Sequence, residues 1–159
     1  MTTKILFVCT GNICRSPVAE AVFAHFAQQA GRADEFELDS AGTGGWHAGE
    51  LPDPRSRAVA QKHGLTLTHR ARQVARTDFM DFDLLIIMDR EHRQDLLTFA
   101  SLTPAQRAKV KLLREWDPKA DGDLDVPDPY YDGPEGFEQM YEMIERSARE
   151  LLKSIPKKN

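Results

Sequence analysis

Ile5-Leu6-Phe7-Val8-Cys9-Thr10-Gly11-Asn12-Ile13-Cys14-Arg15-Ser16-Pro17 is the stretch on which the reading of this chain turns. It opens on an apolar run of strand formers. It closes on Ser16-Pro17, which reads as an N-cap followed by proline at the first helical position. Five residues separate Cys9 from Arg15. A short loop that leaves a strand and enters a helix N-terminus turns several backbone N–H groups into one concavity. Together with the helix dipole, that concavity favours an oxyanion such as phosphate. Gly11 is expected to supply the unusual backbone angles such a loop needs. Cys9 is expected to be acidic there: free cysteine titrates near about 8.5, and comparable sites fall to roughly 3.5–7.5. Arg15 brings a planar fork that matches two phosphate oxygens, and Ser16 brings a hydroxyl for the sulfur.

Outward from this stretch, strands and helices alternate. Val18, Val22, Phe26 and Ala30 recur at helical spacing before Gly31. Phe36 to Ala41 alternates apolar and acidic residues and is expected to be a strand, followed by a Gly- and Pro-rich loop from Gly42 to Pro54. Arg55 to Lys62 is expected to be helical up to His63-Gly64, and Thr77 to Phe82 a short helix at best. Leu84 to Met88, apolar at every position, carries the signature of a strand buried on both faces. A helix over Arg90 to Phe99 and a last strand over Val110 to Leu113 follow. Phe137, Met140, Ile144, Ala148, Leu151 and Ile155 then form one stripe of a final helix. The expectation is an α/β fold: a single domain over residues 1–159, with a four-stranded parallel sheet, helices on both faces and the phosphate-binding loop at the N-terminal end. In such folds ligands bind beyond the carboxyl ends of the strands. Cys9 and Asp89 directly follow two of them.

Composition sets the limits. The chain has 159 residues, 41% hydrophobic and 29% charged, a globular mix near the usual domain size. A net charge of −4 argues against a broad nucleic-acid surface. No apolar run approaches a membrane span, and Met1-Thr2-Thr3-Lys4 leads into an apolar stretch too short for a signal peptide. A cytoplasmic protein without membrane or nucleic-acid partners is expected. Two cysteines, Cys9 and Cys14, are too few for a disulfide scaffold or a cysteine zinc cage. No metal or cofactor is implied. Gly42-Thr43-Gly44-Gly45-Trp46-His47 lacks the final glycine of a dinucleotide loop. Asp121 to Asp132 has Val126 where a calcium loop requires glycine.

A thiolate aimed at phosphorus needs a proton donor for the leaving group, and a carboxylic acid on a mobile loop suits that task. The acidic segment from Asp117 to Pro134 offers Asp121, Asp123, Asp125, Asp128 and Asp132. Residue physics alone leaves all five open.

The cysteine loop resembles the signature of the low-molecular-weight protein tyrosine phosphatases. Asp39-Ser40-Ala41-Gly42, His69-Arg70-Ala71-Arg72, Met88-Asp89 and Asp128-Pro129-Tyr130-Tyr131 are similar to that family in order and spacing, so the resemblance runs along the whole chain. It implies Cys9 as nucleophile, Arg15 as phosphate binder and Asp128 as general acid and base, with Pro127 and Pro129 stiffening the backbone around the acid. It further implies a phosphate-binding loop of Thr10, Gly11, Asn12, Ile13, Cys14 and Ser16, and a substrate wall of Trp46, Tyr130 and Tyr131. Asn12, Ser40 and His69 are implied to hold the loop in shape, with Arg72 and Asp89 as structural partners. The implied substrates are phosphotyrosine proteins or small aryl phosphates, with inorganic phosphate as product.

Three rivals are weighed against this. Related arsenate reductases relay a disulfide through further cysteines downstream, whereas this chain has none after residue 14. Related phosphoarginine phosphatases carry threonine where Ile13 stands and lack the second tyrosine after Asp-Pro. A non-enzymatic phosphate-binding module would need neither the acid nor the thiolate. Cys14 keeps two readings: packing against the first helix, or trapping oxidised Cys9 as a reversible disulfide.

Overall fold

The computed structural model describes residues 2–98 and 101–158. Strands β1 (Thr3–Cys9), β2 (Phe36–Gly42), β3 (Leu84–Ile87) and β4 (Val110–Leu112) form one parallel sheet in the order β2-β1-β3-β4. Helices α1 (Arg15–Gln29), α2 (Pro54–Lys62), α3 (Asp78–Asp81), α4 (Arg90–Leu97), α5 (Pro104–Ala108) and α6 (Pro134–Ser154) connect and cover it. Short 3₁₀ turns occupy Ala33–Glu35 and Leu113–Trp116.

β1 explains the layering. It is central, and its alternation sends Ile5 and Phe7 to one face and Leu6 and Val8 to the other, all four fully buried. On the first face they join Val18, Val22 and Phe23 of α1 with Phe137, Met140, Ile144 and Leu151 of α6. On the second they join Phe79, Leu85, Ile87, Leu96, Val110 and Leu112. The chain leaves β1 toward β2 on one side and returns to β3 on the other. The point where that direction reverses, beyond the carboxyl end of β1, is where open α/β sheets leave a crevice. The loop after Cys9 starts there.

Several expected boundaries shift. α1 begins at Arg15 with Cys14 as its N-cap, so Ser16 is inside the first turn and not the cap. Pro17 is tolerated because first-turn N–H groups have no intrahelical acceptor to lose. The buried face of α1 is Val18, Ala19, Val22, Phe23 and Ala27; Phe26 is half-buried under Arg149 and Ala30 is exposed. α4 stops at Leu97, and the expected end at Phe99 lies outside the described residues. Leu113 belongs to a 3₁₀ turn rather than to β4, and Ile155 caps α6 instead of extending it. α5 was not foreseen; a capping box between Thr103 and Gln106, with Pro104 at its start, builds it from local hydrogen bonds without a buried face. Among the described residues no helix is long and apolar enough to cross a membrane.

Candidate active site

The carboxyl end of β1 and the N-terminus of α1 enclose a cavity of about 290 Å³. Its floor is the loop: Cys9, Thr10, Gly11, Ile13, Cys14 and Arg15. Its rim is Trp46 and His47 on one side and Asp128, Tyr130 and Tyr131 on the other. Residues scattered from position 9 to 131 converge there.

The loop is shaped by Asn12, not by Gly11. Asn12 has φ 59° in the left-handed region, which asparagine tolerates better than most residues, and Gly11 has no positive φ. Glycine is needed at 11 for space, because a Cβ there would lie 2.9 Å from the His47 ring. The Asn12 side chain is fully buried and fully paired. Its Oδ1 accepts from the Arg72 backbone N–H at 3.0 Å, which identifies that atom as the oxygen, and from His69 Nε2 at 2.9 Å. Its Nδ2 donates to Ser16 Oγ at 2.8 Å and Ser40 Oγ at 3.0 Å. Ser16 Oγ therefore accepts from Asn12, leaving its own proton for Cys9 Sγ at 3.0 Å. Burial of Cys14 pushes its thiol up to about 12, with the charge of Asp53 adding to the effect. It is a free, buried thiol on the cavity floor, and the Ser56 hydroxyl donates to its carbonyl at 3.3 Å.

Arg15 is 2% exposed and almost wholly committed. Nη1 donates to Asp89 Oδ2 at 2.8 Å and to the Val126 carbonyl at 2.9 Å, and Nη2 donates to Thr10 Oγ1 at 3.2 Å. Its Nε is buried with no partner. The guanidinium is thus gripped through Nη1 and Nη2, with its Nε–H left without a protein partner.

Of the five candidate aspartates, only Asp128 lines the cavity, with Oδ2 at 3.7 Å from Arg15 Nη2. Its Oδ1 accepts from the Tyr130 N–H at 3.0 Å, which fixes the carboxyl two residues before the ring. The segment that carries it is anchored: the Val126 N–H donates to the Met88 carbonyl at 2.7 Å, and Val126 is fully buried. Asp123 and Asp125 instead face Arg90, and the Asp125 carbonyl accepts from Arg114. Trp46 is 74% exposed and Tyr131 95% exposed, while Tyr130 lies edge-on to Tyr131 and under the Arg55 guanidinium.

Arg72 supports the loop through its backbone. Its side chain pairs with Asp39 and with Asp78, the latter not marked by any sequence signal. His92, also unassigned from sequence, is buried against Thr10 and Arg15; an isolated histidine in a polar helix carries no signal of this. Glu20, Asp39 and His69 each bring a ligand atom within 4.8 Å of the others, a grouping with the donor chemistry for a cation. Here the two carboxylates face His69 Nδ1, at 3.7 and 3.4 Å.

Gly42 is paired with Cys9 across β1 and β2 and lies against the loop. A Cβ there would lie 2.6 Å from the Thr10 carbonyl and 3.1 Å from the Asn12 nitrogen, both backbone. Gly42→Ala is expected to cost about 1–3 kcal/mol of stability from overpacking and to lower kcat/KM on an aryl phosphate. A urea midpoint and initial rates check this; unchanged values in both would show that the loop can shift freely.

Comparison with known proteins gives one consistent picture. A family model described as low molecular weight phosphotyrosine protein phosphatase matches residues 4–159. The chain is 51% identical over 158 residues to a low molecular weight protein-tyrosine-phosphatase of Streptomyces coelicolor, covering 98% of this chain and 94% of that one. A protein tyrosine phosphatase from Entamoeba histolytica, crystallised with Hepes in the active site, superposes with a TM-score of 0.91 at 33% identity, over 96% of each chain. A drosophila arginine phosphatase superposes with a TM-score of 0.89 at 34% identity, over 99% of this chain and 100% of that one.

Proposed function

Because the chain belongs to the low molecular weight phosphotyrosine protein phosphatase family, we propose that it hydrolyses phosphotyrosine and related aryl phosphate monoesters through a phosphocysteine intermediate. The observation that carries this reading is the convergence of Cys9, Arg15 and Asp128 on one cavity.

In the first step the Cys9 thiolate attacks phosphorus. The bond from phosphorus to the phenolic oxygen breaks, and that oxygen takes the Asp128 proton as it leaves with the electron pair. The loop amides, the free Nε–H of Arg15 and the dipole of α1 face the oxygens whose charge redistributes, in a site already organised before the reaction. In the second step a water, its proton taken by the Asp128 carboxylate, attacks phosphorus. The phosphorus–sulfur bond breaks, and the Ser16 hydroxyl receives the returning thiolate at 3.0 Å. Arginine and backbone dipoles supply the positive field.

The exposed rings of Trp46, Tyr130 and Tyr131 support a flat aromatic group above the phosphate. The arginine phosphatase fold is equally close, so architecture does not discriminate. Ile13, which lines the cavity, presents bulk without a polar atom to orient a water or a guanidinium. Steady-state kinetics on matched phosphotyrosine and phosphoarginine peptides test the choice. Phosphotyrosine is expected to be faster in kcat/KM by on the order of tenfold or more; faster turnover of phosphoarginine overturns it.

A further inference from the structure

His92 is the third residue of α4, 1% exposed, and the mechanism gives it no task. Its Nε2 lies 2.8 Å from Thr10 Oγ1 and 3.4 Å from Arg15 Nη2. Its Nδ1 lies 3.3 Å from Asp89 Oδ1, which also accepts from the His92 backbone N–H at 2.9 Å. The proton positions follow from the partners. Thr10 Oγ1 accepts from Arg15 Nη2, so its own proton needs an acceptor, and Nε2 is the atom within reach. A proton on Nε2 would face both that hydroxyl proton and an Arg15 N–H. The ring proton is therefore placed on Nδ1, which lies 3.3 Å from Asp89 Oδ1 and is buried without a hydrogen bond of its own.

We propose that His92 is a positioning residue for the phosphate-binding arginine: its neutral ring locks the Thr10 hydroxyl rotor, so that Thr10 turns a lone pair to Arg15 Nη2 and the guanidinium plane stays aimed at the phosphate. This rests on Arg15 holding phosphate as set out above. Asp89 is shared between the two, accepting from Arg15 Nη1 through Oδ2 and from the His92 backbone N–H through Oδ1. The charged groups that face the ring are Arg15 from α1, Asp89 at the cap of α4, and Asp125 and Asp128 from the acidic segment. Burial, with the Arg15 charge next, lowers the imidazole pKa to about 4, so the acceptor nitrogen is available across the neutral range.

The test compares His92→Gln, which keeps an acceptor near the Nε2 position without titrating, with His92→Leu, which has none. Positioning predicts that His92→Leu lowers kcat/KM on an aryl phosphate by about 10–100-fold and weakens inhibition by inorganic phosphate in step. His92→Gln should recover most of both. If the effect runs through Thr10, His92→Leu combined with Thr10→Val should be little worse than the poorer single variant. Wild-type phosphate inhibition in His92→Leu, or losses that add in full, overturns the proposal. Ring nitrogen NMR of the wild-type protein gives a readout independent of any variant's folding. A neutral Nδ1–H tautomer at pH 6 is expected; an Nε2–H tautomer or an imidazolium overturns it. Arg15→Lys separates the two levels of argument. If it leaves turnover intact, the functional reading fails; if it abolishes turnover while His92→Leu behaves as wild type, only the role of His92 fails.

Discussion

Cys9→Ser is expected to remove measurable turnover of aryl phosphates, a loss on the order of 10⁶ in kcat by comparison with other nucleophile deletions, while inorganic phosphate still binds. The sulfur lies on the cavity floor at the entry to α1, with the Ser16 hydroxyl at 3.0 Å. A serine oxygen in its place holds its proton far more tightly and has no base beside it to take that proton. Everything that grips the phosphate remains: the Arg15 fork, the loop amides and the Asn12 network. The substitution swaps one small atom for another beside Ser16, so the loop keeps its shape. Stopped assays at high enzyme concentration and a phosphate titration by calorimetry measure the two halves. Retention of even one part in about 10³ of the turnover would mean that sulfur is not the attacking atom.

Asp128→Asn is expected to lower kcat on phosphotyrosine by about 10²–10⁴ with little change in KM. The amide keeps the contact with the Tyr130 N–H that orients the side chain, and loses only the proton and the charge. The loss should be smaller with p-nitrophenyl phosphate, whose leaving group departs without protonation. That dependence on the leaving group separates proton donation from a general disturbance of the rim. Asp123→Asn is the companion measurement. Asp123 is 61% exposed on its side chain and faces Arg90 and Arg114, away from the cavity, and activity should stay within about twofold. Equal losses in the two variants, or none in Asp128→Asn, would remove Asp128 from the role of acid.

The parts of the site that residue physics reads without the family resemblance share one property: they lie within a few residues of one another. Strand, loop, arginine and helix start occupy positions 5 to 17, so residue order already implies proximity. The strands were legible because burial on both faces leaves an unbroken apolar run, as in Leu84 to Ile87. Even within the loop, the unusual backbone angle expected of Gly11 is adopted by Asn12. Conformational permissiveness is a property of residue type. The hydrogen bonds that stabilise φ 59° at an asparagine come from Ser40, His69 and Arg72, 28 to 60 positions away. Ser16 shows the same limit: it looks like a helix cap and serves instead as the link between Asn12 and the sulfur.

By itself the sequence determined a parallel α/β chain with an anion-binding loop after its first strand, because period and local order are carried by neighbouring residues. Residue physics left five aspartates open and the family resemblance singled out Asp128; only the tertiary structure showed Asp128 lining the cavity beside Arg15, Asp89 and Val126 gripping Arg15 on one edge, and His92 lying against it. Those contacts span 74 to 113 positions from Arg15. They exist because β1 and β3 are adjacent in the sheet while far apart in the chain, which brings the ends of both strands and the segment anchored on Met88 to one crevice.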